Sequence, residues 1–351
     1  MTLSDLIDHL VNTRTSQNGK FDGQSMSGLD LTECRFNGCS FNDTDMFTAD
    51  LTKSVFISCD FTQTNLVEAN LSEAVFQSCS FKETTVTGAQ LKGVIIAKST
   101  LENIRFVGAE LTEVAFDKCT LTAVSFNDAR LSKAAIVDTQ VQDCDFTGAD
   151  LSRATMMGLD LQAAILKGCK LEQAYFEGSN LSGHSFDDCE LKGAIFYKAI
   201  MHHIILANRN LEAVFFSHAD LTGAQFRGAQ AKQISFEKAI IDKADFTGAQ
   251  LHACLFPDVT AKQAVLEGVT VTQSVFQGAD LSGGRWRGAR LAKCEMSKAV
   301  LNECDFSEVQ LDTVNLHDAS QRNTNWEKAS FSNVQGTDPQ RLAAEKWQPP
   351  A

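Results

Sequence analysis

Ala49-Asp50-Leu51-Thr52-Lys53 sets out the unit from which this chain is built: small, polar, bulky, variable, variable. The unit recurs in the same register as Ala149-Asp150-Leu151-Ser152-Arg153 and Ala279-Asp280-Leu281-Ser282-Gly283. Followed outward in both directions, every fifth residue from Phe21 to Phe331 is large and apolar, with Ala231, Ala261 and Gln321 the exceptions. Neither a helix (period 3.6) nor a strand (period 2) writes a strict period of five. A fixed repeat over most of a chain builds a solenoid, in which each repeat buries its apolar residue against its neighbours.

A second regularity appears at ten. Leu31, Leu51, Leu71, Leu91, Leu111, Leu131, Leu151, Leu171, Leu191 and Leu211 alternate with positions rich in Phe and Met. Of 24 phenylalanines, only Phe47 and Phe215 lie outside the bulky slots, so the aromatics read as core and not as a stacking platform for nucleic acid. The repeat closely resembles the pentapeptide-repeat family over residues 19–335. That resemblance implies an all-β fold: a right-handed quadrilateral parallel β-helix with four pentapeptides per coil, about 16 coils in all. The bulky residue and the small residue two places before it would point inward.

The expected organisation is a capping helix over residues 1–18, the β-helix over 19–336, and a capping helix with its tail over 337–351. Open solenoid ends template aggregation unless covered. Ser4-Asp5-Leu6-Ile7-Asp8-His9-Leu10-Val11 has helical apolar spacing with Ser4 as N-cap. Asp338-Pro339 reads as N-cap and first helical residue, and Leu342 and Trp347 are expected to plug the last coil. The family resemblance implies frequent dimerisation through a C-terminal cap, so a homodimer formed there is one expectation.

No apolar run approaches the ~18 residues of a membrane span, and the first residues lack the pattern of a secretory signal. No membrane partner and a cytoplasmic location are expected. The eleven cysteines all sit in the small inward slot, as Cys39, Cys59 and Cys79 do, and read as core hydrophobes. No phosphate loop, nucleophile elbow or zinc-type cysteine spacing is present. The chain is therefore not expected to be an enzyme or to hold a cofactor or metal. One segment departs from the pattern, because His184 and Arg209 fall in the small slot with His202, His203 and His218 nearby in register. It reads either as a metal or anion site or as a distorted coil.

The outward positions carry more information. Just before the bulky residues of one side stand Val55, Val75, Ile95, Ala115, Ala135, Thr155, Tyr175, Ile195, Phe215, Ser235, Leu255 and Val275. Just after them stand Ile57, Val137, Met157 and Tyr197. The neighbouring row Ser40, Asp60, Ser80, Thr100, Thr120 is polar. An apolar row of this length reads either as a surface for a protein partner or as β-propensity in a parallel ladder.

Charge is uneven: 21 acidic against 11 basic side chains over residues 1–150, 15 against 16 over 151–300, and 8 against 4 over 301–351. Some pentapeptide-repeat proteins resemble DNA and bind DNA gyrase or topoisomerase IV in its place. By that resemblance Asp43, Asp45, Asp50 and Asp60 would form an acidic patch, with no direct binding of nucleic acid. Long, uninterrupted, cysteine-rich arrays are also similar to pentapeptide-repeat proteins that accompany type VI secretion, which implies a rigid docking scaffold. The scaffold is the leading expectation and DNA mimicry the alternative.

Overall fold

A computed structural model, which describes Leu10 and residues 12–347, shows an all-β chain: a parallel β-solenoid of about 16 turns with one short C-terminal helix. Residues through Ser179 together with Phe186–Glu190 form one compact unit; Asn180–Ser185 and the residues from Leu191 onward form another. Most of the helix expected over Ser4–Val11 lies outside the described residues; Leu10 is buried.

In the first unit, eight strands pair in parallel with a step of twenty residues: Thr15–Gln17, Arg35–Asn37, Val55–Ile57, Val75–Gln77, Ile95–Ala97, Ala115–Asp117, Ala135–Val137 and Thr155–Met157. A second side carries a four-stranded sheet of Ser80–Lys82, Thr100–Glu102, Thr120–Thr122 and Gln140–Gln142. The second unit holds a six-stranded sheet running from Gln230–Lys232 to Ser330–Ser332. Each three-residue strand before Ser330–Ser332 buries its middle residue and turns both flanks outward, as Val55–Phe56–Ile57 does.

Inside, equal shapes stack at the coil spacing. Phe36, Phe56 and Phe76 lie face to face with centroids 4.8 Å apart at each step. Phe21, Phe41, Phe61 and Phe81 do the same at 5.0 Å. The two columns meet edge-on, as at Phe56–Phe61 (5.2 Å, 76°), the arrangement that ring quadrupoles favour.

The small slot has its own chemistry. Its hydroxyl or thiol donates to a main-chain carbonyl twenty-three residues earlier: Thr44 to Phe21 and Thr64 to Phe41, both at 2.7 Å, and Cys304 to Leu281 at 3.0 Å. Cysteine, serine and threonine are therefore interchangeable there with alanine. None of the eleven cysteines forms a disulfide, and burial pushes the thiols of Cys144, Cys254, Cys294 and Cys304 up to about 11. They behave as core and not as nucleophiles.

Two residues after the bulky positions, Ala163 excepted, the backbone turns through positive φ. Glycine fills this place at Gly88 and Gly148, but Lys53 and Glu73 adopt the same conformation with φ of 58° and 59°. Side chains tolerate it because the amide there is bonded to the next coil, as from Lys53 to Ser72 at 3.0 Å.

The C-terminal helix forms over Pro339–Lys346, and the Asp338 carboxylate caps the amides of Gln340 and Arg341 as expected. It does not plug the terminal coil. Leu342 is only half-buried, Trp347 is 68% exposed, and Phe331 in the last strand is 53% exposed. The helix is tied instead to the flank of the solenoid. Asp338 donates its amide to His317 Nδ1 (3.2 Å), Lys298 pairs with Glu345 (2.9 Å), and Lys346 faces Asp318 (3.9 Å). The buried His317 accepts this bond from the main chain at the start of the helix.

Hydrogen bonds from Lys298 and Arg341 hold the Glu345 carboxyl down to about 2, from an ordinary 4.5. A carboxyl depressed in the folded state contributes stability above its unfolded pKa and loses it as pH falls through the folded one. Helix docking is thus expected to be intact above pH 4.5 and to weaken toward pH 2. Hydrogen exchange at the amides of residues 342–346 measures this; protection that stays flat over that range would remove Glu345 from the latch.

Candidate protein-docking surfaces

The apolar row is a real surface of the first unit. Val55, Val75, Ile95, Ala115, Ala135 and Thr155 are direct register partners across neighbouring strands, and Tyr175 is bridged to Thr155. Ile95 is 45% exposed and the others are half-buried by their neighbours in the ladder. The second outward row of the same sheet adds Ile57, Val137 and Met157, interrupted by Gln77 and Asp117. Beside the sheet run turn residues in ion pairs, Lys53–Glu73 and Lys133–Glu113. The Tyr175 hydroxyl donates to the Glu177 carboxylate, which fixes the ring against the sheet.

In the second unit the row is broken. Ile195 bridges Phe215, then Ser235, Leu255 and Val275. Phe215 and Leu255 are exposed, but Ser235 between them is buried. Tyr197 lies edge-on to His218 at 5.3 Å, with Lys198 over its ring. A row that the sequence reading did not single out lies in this unit too: Ile200 and Ile240 are about as exposed as Phe215, and Asp220 bridges them. Branched residues alternating with Asp at a step of twenty were its signal.

The four acidic residues are not brought together. Asp45, Asp50 and Asp60 sit in ladders on three different sides. Each carboxylate also closes its own turn. Asp50 accepts from the Thr52 amide (3.0 Å) and hydroxyl, and Asp60 likewise from Thr62. Asp45 accepts from the Phe47 amide and from Asn65. Asp43 is at a turn with φ of 55°. Around a fully buried Trp286, Arg285 pairs with Glu267 and Arg287 with Glu308.

His184 and Arg209 are both half-buried, and the main chain at each keeps the solenoid pattern, with Ile205 donating to His184 and Gln230 to Arg209 at 2.9 Å. His202 faces Asp220 at 2.9 Å. Among the described residues no three His, Cys, Asp or Glu side chains converge as metal ligands, and no helix is long and apolar enough to cross a membrane.

The model of a pentapeptide repeat region matches residues 29–106 and 99–186, and that of pentapeptide repeats in eight copies matches 169–208, 206–237, 219–258, 244–283 and 287–318. This chain belongs to the pentapeptide-repeat family. No curated protein sequence matches it significantly. Among solved structures this pentapeptide-repeat protein is similar to HetL, involved in heterocyst differentiation regulation in the cyanobacterium Nostoc sp. The two are 17% identical over 95% of this chain and 96% of that one, with a TM-score of 0.16. It is also similar to full-length QnrB1, a plasmid-mediated fluoroquinolone resistance protein: 16% identical over 81% and 96%, TM-score 0.17. A pentapeptide-repeat protein of the Arabidopsis thaliana thylakoid lumen is 16% identical over 41% and 70%, TM-score 0.12. At these identities the shared feature is the repeat.

Proposed function

We propose that this pentapeptide-repeat protein is a non-enzymatic scaffold that docks a protein partner through the apolar sheet face of its first unit. The observation that carries this reading is the in-register row from Val55 to Thr155, extended by Met157 and Tyr175, on a sheet whose main chain is already paired. Such a face is pre-organised, so little ordering cost falls on binding. The inward slots are filled by packed apolar side chains, which supports a binding role over catalysis. Ile195, Tyr197, Phe215, Leu255 and Val275 supply a smaller face in the second unit. The terminal coil, with Phe331 exposed within the last strand Ser330–Ser332, suits a second copy of the chain; a monomer by sedimentation velocity would remove that part.

The test is affinity capture from a bacterial lysate, with the tagged protein run beside Ile95→Asp/Tyr175→Asp. A carboxylate on a desolvated contact should cut recovery of the partner by at least about 100-fold, with circular dichroism unchanged. Type VI secretion components lost with the variant would identify the scaffold's setting, whereas equal recovery would retire the face. The alternative, mimicry of DNA toward gyrase or topoisomerase IV, draws on the acidic excess of residues 1–150. It requires inhibition of gyrase supercoiling, relieved by charge reversal at Asp43, Asp45, Asp50 and Asp60; a wild-type protein without inhibition at micromolar concentration would end it.

A further inference from the structure

The wall of the first unit is open at the step from Val141 to Asp160 and, on another side, at the step from Val86 to Arg105. On that side each inward residue donates its amide to the next coil. Met26 bonds Asp45 (2.7 Å), Met46 bonds Asn65 (2.8 Å), Leu66 bonds Thr85 (2.8 Å) and Phe106 bonds Ser125 (2.7 Å). Among the described residues the step from Val86 to Arg105 lacks this bond. The return bond, made by Thr85 to Thr64 and by Ser125 to Ile104, is missing from Arg105 to Thr84. The bond made by Glu68 to Thr87 and by Gly108 to Asn127 is missing from Gly88 to Val107.

A cleft of about 490 Å³ opens at this step, lined by Glu83, Thr85, Val86, Thr87, Arg105 and Val107 among others. Beneath it lies an apolar void of about 20 Å³ whose walls include Phe81, Val86, Leu101, Ile104 and Phe106. Two features of the sequence coincide here. Ile104 fills a slot usually held by a smaller residue, and the aromatic column changes corner. The Phe61–Phe81 stack ends and the Phe106–Phe126 stack begins, so Phe106 follows Val86 and Leu101 follows Phe81. Ile204 occupies the same slot in the second unit with its ladder closed, Gln225 donating to it at 2.9 Å. At this step the change of column leaves unequal shapes that no longer stack at the coil spacing, whereas the Val141–Asp160 step, beside Leu159 in its small slot, opens without one.

We infer that this cleft binds an extended polypeptide segment. The missing bonds name the occupant. One lip offers the amides of Val86 and Gly88 and the carbonyl of Thr84; the other offers the amide of Arg105 and the carbonyls of Arg105 and Val107. Donors and acceptors alternating at strand spacing are matched by another main chain in extended form. Arg105 is exposed and makes no ion pair among the described residues, so it selects an acidic side chain. Val107, 49% exposed, and the void below select an apolar one beside it. The site lies on a different side of the coil from the Val55–Tyr175 face and does not depend on it.

The experiment uses the full chain and a capped peptide copying Ala123–Ala129 (Ala-Val-Ser-Phe-Asn-Asp-Ala), a rung that carries both a Phe and an Asp. In the free protein, hydrogen exchange should find the Val86, Gly88 and Arg105 amides unprotected beside protected Leu66 and Phe106. The peptide should saturate with a Kd on the order of 100 µM and protect those amides. Arg105→Glu, and Val107→Trp at an exposed position that blocks the cleft, should each weaken it by about tenfold or more, while Ile95→Asp/Tyr175→Asp should not. Amides already protected in the free protein, no saturation by about 2 mM, or equal binding of a backbone N-methylated peptide would each overturn the proposal.

Discussion

Phe56→Ala is expected to destabilise the first unit by about 4 kcal/mol, the range of buried Phe truncations. Phe56 is fully buried. It stacks on Phe36 and Phe76 at 4.8 Å and meets Phe41 and Phe61 edge-on at 6.0 and 5.2 Å. Truncation removes the ring's transfer free energy and leaves a void in the column. The coils cannot close over that void without breaking the main-chain ladder on every side, so little relaxation is available. Each lost ring pair adds roughly 0.5–1.5 kcal/mol. Because a solenoid's stability is approximately a sum over neighbouring repeats, protection from hydrogen exchange should fall first in the coils carrying Phe36 and Phe76. Phe47→Ala is the control: Phe47 lies outside the bulky slots and is 39% exposed, and its loss should stay within about 0.5 kcal/mol. Urea unfolding measures both; a Phe56→Ala loss below about 1 kcal/mol would mean that the stack does not hold the unit together.

The position of Phe56 was legible in the sequence because inward placement here is a local property. A strict period of five fixes which residue faces the axis, and the i, i+20 step then fixes its neighbours, as Val55↔Val75 shows. The small slot was legible for the same reason, although the hydrogen bond from Thr44 to Phe21 that explains its composition was not. Features set by longer-range competition could not be read. Trp347 has the hydrophobicity of a plug, but the site that ties down the helix is His317 on the flank, and nothing local to residues 338–347 specifies it. Asp50 looked like free surface charge until its bonds to Thr52 showed it closing a turn. The opening between Val86 and Arg105 left a trace, Ile104 in a small slot, yet Ile204 leaves the same trace without opening its ladder.

Gly284→Ala is expected to destabilise the second unit by about 1–3 kcal/mol, although alanine is the usual occupant of its slot. The reason is its neighbour. Trp286 takes a bulky position otherwise filled mainly by Phe and Leu. It is fully buried, stacks on Phe306 at 5.3 Å and meets Phe276 edge-on. A Cβ on Gly284 would stand 3.0 Å from the indole Nε1 and 2.9 Å from the Leu281 carbonyl. Gly284 has no positive φ, so the penalty is crowding alone and the backbone accepts alanine. The indole Nε1 is also buried without a hydrogen-bond partner among the described residues, a liability of about 1–3 kcal/mol. Trp286→Phe removes that orphan donor and frees the space the Cβ needs. Gly284→Ala/Trp286→Phe, which restores the pairing seen at Ala194 and Phe196, should therefore be at least as stable as the natural protein. The coupling between the two changes should reach about 1.5 kcal/mol or more. A double-mutant cycle in urea measures it. Additive effects would show that the glycine does not make room for the indole, and that the slot's size is set by the Leu281 carbonyl instead.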